Sequence, residues 1–222
     1  LRNENQIIRP KRFLNMLDDS TIELKYQQSE SFFDWAQVFG NAAPINIEIG
    51  FGKCGFLLSM AADCPAANFV GIETSRKYYR KGIRKVQRAG LENVKLMLGD
   101  ACHLLSRYVP DESVVNFYVN CPDPWPKKRH AKRRLFNQGF VEIAAQKLAA
   151  SGCFALAMDI APYMDEALLV LRGDARLEPM LVATSRELAA PRAYTSEYER
   201  EFLNAGKIMQ YATFRKTPTS AA

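Results

Sequence analysis

Between Ile45 and Asp159 the chain repeats one pattern: a short apolar run that closes on a glycine or an acid, followed by a stretch of helical composition. Ile45 to Ile49 ends at Gly50, Asn68 to Ile72 at Glu73, Val94 to Leu98 at Gly99 and Asp100, and Cys153 to Met158 at Asp159. A further apolar run, Ser113 to Val119, leads into the proline-rich segment Asn120 to Pro126. Phe56 to Ala62 and Ser75 to Ala89 read as helices, the second stopped by Gly90. Lys132 to Ala150 reads as a long amphipathic helix with Leu135, Phe136, Phe140, Ile143, Ala144 and Leu148 at helical spacing and Gly152 closing it. This alternation predicts an α/β fold with a mostly parallel sheet and helices on both faces. Residues 1–44 read as a basic N-terminal extension with a short helix near Ser31 to Phe39, and residues 45–222 as the main domain.

Composition narrows the class. Hydrophobic residues at 48% and charged residues at 24% are incompatible with a disordered body. No run approaches the roughly 20 apolar residues that cross a bilayer. Leu1 to Arg12 is polar and basic, so no secretory signal is expected there. Five cysteines without a C-x-x-C pair, and only two histidines, argue against a disulfide framework and a zinc site. The expectation is a cytoplasmic protein with no metal, no membrane and no obligate protein partner.

Ligands of open parallel sheets sit beyond the carboxyl ends of the strands. Those ends carry Glu48, Glu73, Asp100, Asp123 and Asp159. Buried singly in a core they would be costly, so a shared polar crevice explains them better. Gly50-Phe51-Gly52-Lys53-Cys54-Gly55 follows a strand and opens a helix. Glycines there bring the backbone close to a ligand and free its N–H groups. The string matches the dinucleotide fingerprint, with Glu73 placed to grip ribose hydroxyls. Glu48, however, would repel a pyrophosphate and welcome a cationic amino group. S-adenosylmethionine has that ammonium, a ribose and an adenine, and no phosphate. Glu48 then faces its amino-acid end, Glu73 its ribose, and Asp100 its adenine amino group, with the Ala101 N–H beside it as donor. Taken alone, Asp100 is equally read as a helix N-cap.

The most specific segment is Asn120-Cys121-Pro122-Asp123-Pro124-Trp125-Pro126-Lys127-Lys128-Arg129-His130. Its prolines stiffen a loop after a strand and hold Asp123 at the crevice. Trp125 offers a face for stacking, and the basic run can hold phosphates. A second basic run, Arg76, Lys77, Arg80, Lys81, Arg84, Lys85 and Arg88, is read either as part of a polyanion surface or as a solvated helix face. The net charge is +6.

Glu48-Ile49-Gly50-Phe51-Gly52, Gly71-Ile72-Glu73 and the string Pro122 to His130 resemble the bacterial tRNA (guanine-N7-)-methyltransferase family. Ser196-Glu197-Tyr198-Glu199, followed by Phe202 and Gly206, resembles its C-terminal signature. The resemblance implies a class I S-adenosylmethionine-dependent methyltransferase fold, Rossmann-like with a seven-stranded sheet, acting on guanine N7 in the tRNA variable loop. It implies that Glu48, Glu73 and Asp100 bind the donor, beside the loop backbone at Gly50 and Gly52 and the Ala101 N–H read above, and that Asp123, Lys127, Asp159 and the segment Ser196, Glu197, Tyr198 and Glu199 serve the active site or the tRNA. Cys54 stands where the family has its third glycine, and Ser196 where threonine is usual, with Thr195 beside it.

Guanine N7 carries a free lone pair, so no catalytic base is required. A carboxylate near the base favours the positive charge that arrives on the purine. Asp123 fits that role, or that of accepting guanine N1–H and N2–H, which adenine lacks. Three rival readings make different demands. A nicotinamide oxidoreductase needs a hydride-transfer residue set, and none is visible. An exocyclic-amine methyltransferase needs an N/D-P-P-Y type of loop, from which Pro124-Trp125-Pro126-Lys127 departs. A non-catalytic RNA-binding module would have no use for intact Glu48, Glu73, Asp100 and Asp123.

Overall fold

Central parallel strands are covered on both faces, so they need nearly unbroken apolar sequence. β1 (Ile45–Ile49) and β2 (Asn68–Glu73) are buried along their whole length, and they depart from that demand at Asn46, Glu48, Asn68 and Glu73, whose polar side chains are buried with the apolar ones. The computed structural model describes residues 19–26, 32–125, 129 and 133–218. β3 (Val94–Leu98), β4 (Val114–Asn120), β5 (Leu148–Met158), β6 (Leu177–Thr184) and β7 (Gln210–Lys216) complete a seven-stranded sheet in the order β3-β2-β1-β4-β5-β7-β6. β1 to β5 pair in parallel, and β7 runs antiparallel between β5 and β6. The expected mostly parallel sheet is therefore present, with its reversed strand in the C-terminal part.

Helices cover both faces. α5 (Ala101–Tyr108), α6 (Gln138–Lys147) and α7 (Ala161–Arg172) bury Leu104, Phe140, Ala144, Met164 and Leu168 in one core with Ile47, Val70 and Phe117. α3 (Gly55–Asp63) and α4 (Arg76–Ala89) bury Phe56, Leu57, Ile83 and Val86 in a second core with Phe69 and Leu96. α8 (Glu197–Asn204) carries Phe202 and Leu203 against Met209 and Tyr211. The short helices α1 (Asp19–Ile22) and α2 (Trp35–Phe39) lie ahead of the first strand. Leu24 N donates to Leu96 O at the β3 edge, and Phe33 N to Tyr108 O, so these stretches lie against the same body.

Two sequence expectations need correction. The helix expected over Lys132 to Ala150 is α6, Gln138–Lys147. Asn137 caps it by accepting from Phe140 N at 3.1 Å, which fixes its start, and Leu135 and Phe136 pack from outside the helix. Its end comes at Leu148, where β5 has already begun, so Gly152 lies inside a strand. A Cβ on Gly152 would come within 2.9 Å of the Ala149 and Val115 carbonyls, which explains the glycine without a helix stop. The helix near Ser31 to Phe39 begins only at Trp35, capped by Asp34.

Candidate active site

The glycine loop owes its shape to three residues with left-handed backbone: Gly50 at φ 73°, Gly52 at φ 48° and Cys54 at φ 63°. Phe51 between them turns inward and is 4% exposed. Its ring fills a slot that exists because Gly71 and Gly82 have no side chains; a Cβ there would lie 2.6 and 2.8 Å from ring atoms of Phe51. Cys54 keeps the loop geometry although a side chain in that region costs roughly 1–2 kcal/mol. Glu73 then ties the loop to the next helix. Its Oε2 accepts from Gly52 N at 2.9 Å, and its Oε1 from Ser75 N at 2.8 Å. Lone pairs remain on both oxygens for further donors. Asp100 is the N-cap of α5, accepting from His103 N at 2.9 Å, and Ala101 opens that helix.

Behind the loop runs a buried polar chain. Glu48, 1% exposed, accepts from Asn120 Nδ2 through Oε1 at 3.0 Å, while its Oε2 is buried with no hydrogen-bond partner. Burial pushes the Glu48 carboxyl up to about 7, with Asn120, the nearby Leu57 backbone N–H and the charge of Arg192 opposing. Arg192 reaches Asn120 Oδ1 at 3.5 Å and Glu199 Oε2 at 3.0 Å. Tyr211 donates to Glu199 Oε1 at 2.8 Å. Arg192 also lies over the rings of Phe56 and Tyr211, at 5.6 and 5.2 Å from their centroids. Two fully buried carboxylates, on β1 and α8, are thus linked through Asn120 and one guanidinium.

Directly after Asn120, the chain leaves β4 through Cys121 (φ 48°) and continues to Trp125 (φ 42°). Asp123 between them is exposed, and no hydrogen bond joins it to another described residue. Arg134 holds this loop from below, donating to Pro124 O at 2.8 Å and pairing with Glu166. Arg133 stacks on Trp125 at 4.9 Å. The basic run is therefore not uniformly free for phosphates: Arg133 and Arg134 shape the loop. Lys127, Lys128 and His130 lie outside the described residues.

The C-terminal signature closes the crevice. Ser196 is the N-cap of α8, its Oγ accepting from Glu199 N at 3.0 Å, which places the capping hydroxyl on Ser196 and not on Thr195. Tyr198 donates to Asp159 Oδ2 at 2.8 Å and stacks on Phe202, and the Asp159 carboxylate pushes its phenol up to about 12. Glu197 pairs with Lys85 at 2.8 Å and Lys53 at 3.5 Å, and Lys85 holds its carboxyl below the usual range. Glu197 also approaches the glycine loop: a Cβ on Gly55 would lie 3.2 Å from its Oε1.

The structure thus joins Asp159 with Tyr198, links Glu48 to Glu199, and sets Glu197 against the loop. Arg192 and Tyr211 escaped the sequence reading, while Lys53 and Lys85 were read only as members of the glycine string and of the second basic run. Glu199 lies in the signature, but no spacing rule pairs it with an arginine ahead of that signature. Among the described residues no group of His, Cys, Asp or Glu is placed to hold a metal ion, and no helix is long and apolar enough to cross a membrane.

A methyltransferase family, described as "Putative methyltransferase", matches residues 42–211. A tRNA (guanine-N(7)-)-methyltransferase of Geobacter metallireducens is 34% identical over 85% of this chain and 90% of its own length. One of Sodalis glossinidius is 39% identical over 83% of this chain and 77% of its own. Among solved structures, a precorrin-6y C5,15-methyltransferase from Geobacter metallireducens superposes with a TM-score of 0.56 at 12% identity, covering 85% of this chain and 93% of that one. A SAM-dependent O-methyltransferase from Thermotoga maritima gives 0.51 at 15% identity, covering 81% and 62%. These two establish the fold, a class I Rossmann-like methyltransferase sheet. With sequence kinship over most of both chains, the protein belongs to the tRNA (guanine-N7-)-methyltransferase family.

Proposed function

We propose that this protein transfers a methyl group from S-adenosylmethionine to N7 of a guanine in the variable loop of tRNA. The observation that carries the donor reading is Glu48 Oε2, a buried carboxylate oxygen with no partner beside a glycine loop. An orphaned acid there fits a ligand that brings a cationic amino group and does not fit a pyrophosphate. The names of the relatives support tRNA guanine as the target. A tRNA substrate also fits a cytoplasmic setting. Residues 45–222 are the catalytic domain in this reading, and residues 1–44 an extension.

The bound donor supplies an electrophilic methyl on a sulfonium. Glu48 holds the ammonium, Glu73 accepts the ribose hydroxyls, and Asp100 with the Ala101 N–H reads the adenine edge. Gly50 and Gly52 let the backbone approach without side chains in the way. On the target side Asp123 accepts guanine N1–H and N2–H, so its negative charge lies near the purine as positive charge arrives there. That contact also rejects adenine, which has no donor at those positions. No residue needs to remove a proton from N7, so the task is alignment, worth several kcal/mol. Tyr198 and Asp159 form one wall of the target pocket, Ser196 and Glu197 fix α8 against the donor loop, and Lys127 contacts phosphate. Glu199 acts through Arg192, which fits an anchoring role better than direct contact with the base. Nucleoside analysis after incubation with labelled donor and unmodified tRNA tests this reading. It predicts labelled 7-methylguanosine; label in methyladenosine, or NADH binding tighter than the donor, contradicts it.

A further inference from the structure

α4 contains no acidic residue, and its solvent face carries Arg76, Lys77, Arg80, Lys81, Arg84 and Arg88, all exposed. None of the six forms an ion pair with another described residue. Each Arg lies four residues from the next, and Lys77, Lys81 and Lys85 repeat the same spacing. Like charges at that spacing disfavour a helix, and Arg76 and Lys77 also face the positive end of its dipole. A helix face shaped only for stability or solubility would mix signs. Tyr78 stands within this face, 37% exposed, with Lys81 Nζ 5.9 Å from its ring centroid. Aromatic rings interleaved with unpaired cations are the composition of a surface for nucleic acid.

The position of α4 supports the same use. Its N-cap residue Ser75 is bonded to Glu73, so the helix starts at the donor crevice. Lys85 donates to Lys53 O of the glycine loop at 2.7 Å and to Glu197 of the signature at 2.8 Å, so its inner edge touches both halves of the site. Arg76, Arg80 and Arg84 also line a cleft of about 390 Å³ that holds Asp19 and Glu23 on its other side. Those two acids are engaged elsewhere, Asp19 with Gln87 and Glu23 with Tyr79, and leave the arginines unpaired. The basic run after Asp123 is partly spent on its own loop through Arg133 and Arg134.

The geometry points to the outer face of α4 as a surface that holds tRNA backbone phosphates beside the crevice, with Tyr78 stacking on an unpaired base. This rests on the proposed tRNA substrate. The test is tRNA affinity against salt for the full chain, comparing wild type with Arg76→Ala/Arg80→Ala/Arg84→Ala and with Tyr78→Ala. Donor affinity and thermal midpoint are measured on each. The triple variant is expected to lose affinity about tenfold or more near physiological salt and to shallow the log–log slope by about two to three units. Its donor affinity stays within about twofold, and its midpoint is equal or higher because like-charge pairs are removed. Tyr78→Ala weakens binding without changing the slope. Unchanged affinity and slope in the triple variant overturn the proposal, as does a loss of affinity with the slope unchanged. Loss of binding to acidic lipid vesicles with tRNA affinity intact would assign the face to a membrane and also overturn it. The two proposals fail separately. A wild type that forms no 7-methylguanosine contradicts the substrate, whereas a wild type that forms it alongside an unimpaired triple variant contradicts only this surface.

Discussion

At the scale of single residues, Glu48 makes the sharpest demand. Its carboxyl is raised to about 7 from an ordinary 4.5, chiefly by burial. The unfolded chain ionises this group near 4.5 while the folded one keeps its proton, so its contribution to stability is full below pH 4.5 and is lost as pH rises toward 7. Glu48→Gln keeps the shape and the Asn120 bond without the charge. It should match wild type in unfolding free energy at pH 4 and exceed it at pH 8 by up to about 3 kcal/mol, with thermal midpoints following the same order. Donor affinity should rise in wild type as pH climbs through 7 and stay low and flat in Glu48→Gln. Equal midpoints at pH 8 would remove the buried charge from the account. Asp123→Asn should cut turnover at least about tenfold with donor affinity near normal, read by calorimetry beside single-turnover kinetics; full activity would sink its assignment. Both acids were legible from their setting, Glu48 inside an apolar strand just ahead of a glycine loop and Asp123 in a proline-stiffened loop after β4. Arg192 was not, because its partners Asn120 and Glu199 come from a distant strand and a following helix, and no local pattern marks that convergence.

At the scale of elements, the loop between β1 and α3 is positioned by packing as much as by its glycines. Phe51 is held where Gly71 leaves room, and a Cβ on Gly71 would meet Phe51, Leu96 and Leu57 at 2.6, 2.7 and 2.8 Å. Gly71→Ala should therefore cost about 1–3 kcal/mol of stability and weaken donor binding, seen as a lower midpoint and a higher donor Kd. A midpoint equal to wild type would show that the slot can relax. The sequence pattern placed β1, β2, β3 and α4 to within a residue, since their apolar runs and caps agree. It overextended α6 because Leu135 and Phe136 fit the helical period yet pack into the core ahead of the helix, with Leu135 N donating to the Tyr163 hydroxyl of α7, and Asn137 supplies the cap. α5 went unread as an element because Ala101–Tyr108 is short, although Asp100 was recognised as a candidate N-cap as well as a ligand.

At the scale of the whole molecule, alternation of strand and helix was enough to foresee the parallel part of the sheet. The C-terminal part, where β7 reverses between β5 and β6, left no period to read, since β6 carries Met180-Leu181-Val182 exposed in a run that neither alternates nor is buried. Yet that reversal carries Tyr211 and α8 back over the crevice and completes the link from Glu48 to Glu199. A crevice that delivers a methyl group to one atom, guanine N7, makes that atom indispensable. The most direct measurement compares labelled methyl transfer to a tRNA transcript with transfer to the same transcript carrying 7-deazaguanosine, which replaces that nitrogen by carbon. Label is expected in 7-methylguanosine from the first and none above background from the second; equal transfer to both would rule out N7 as the target.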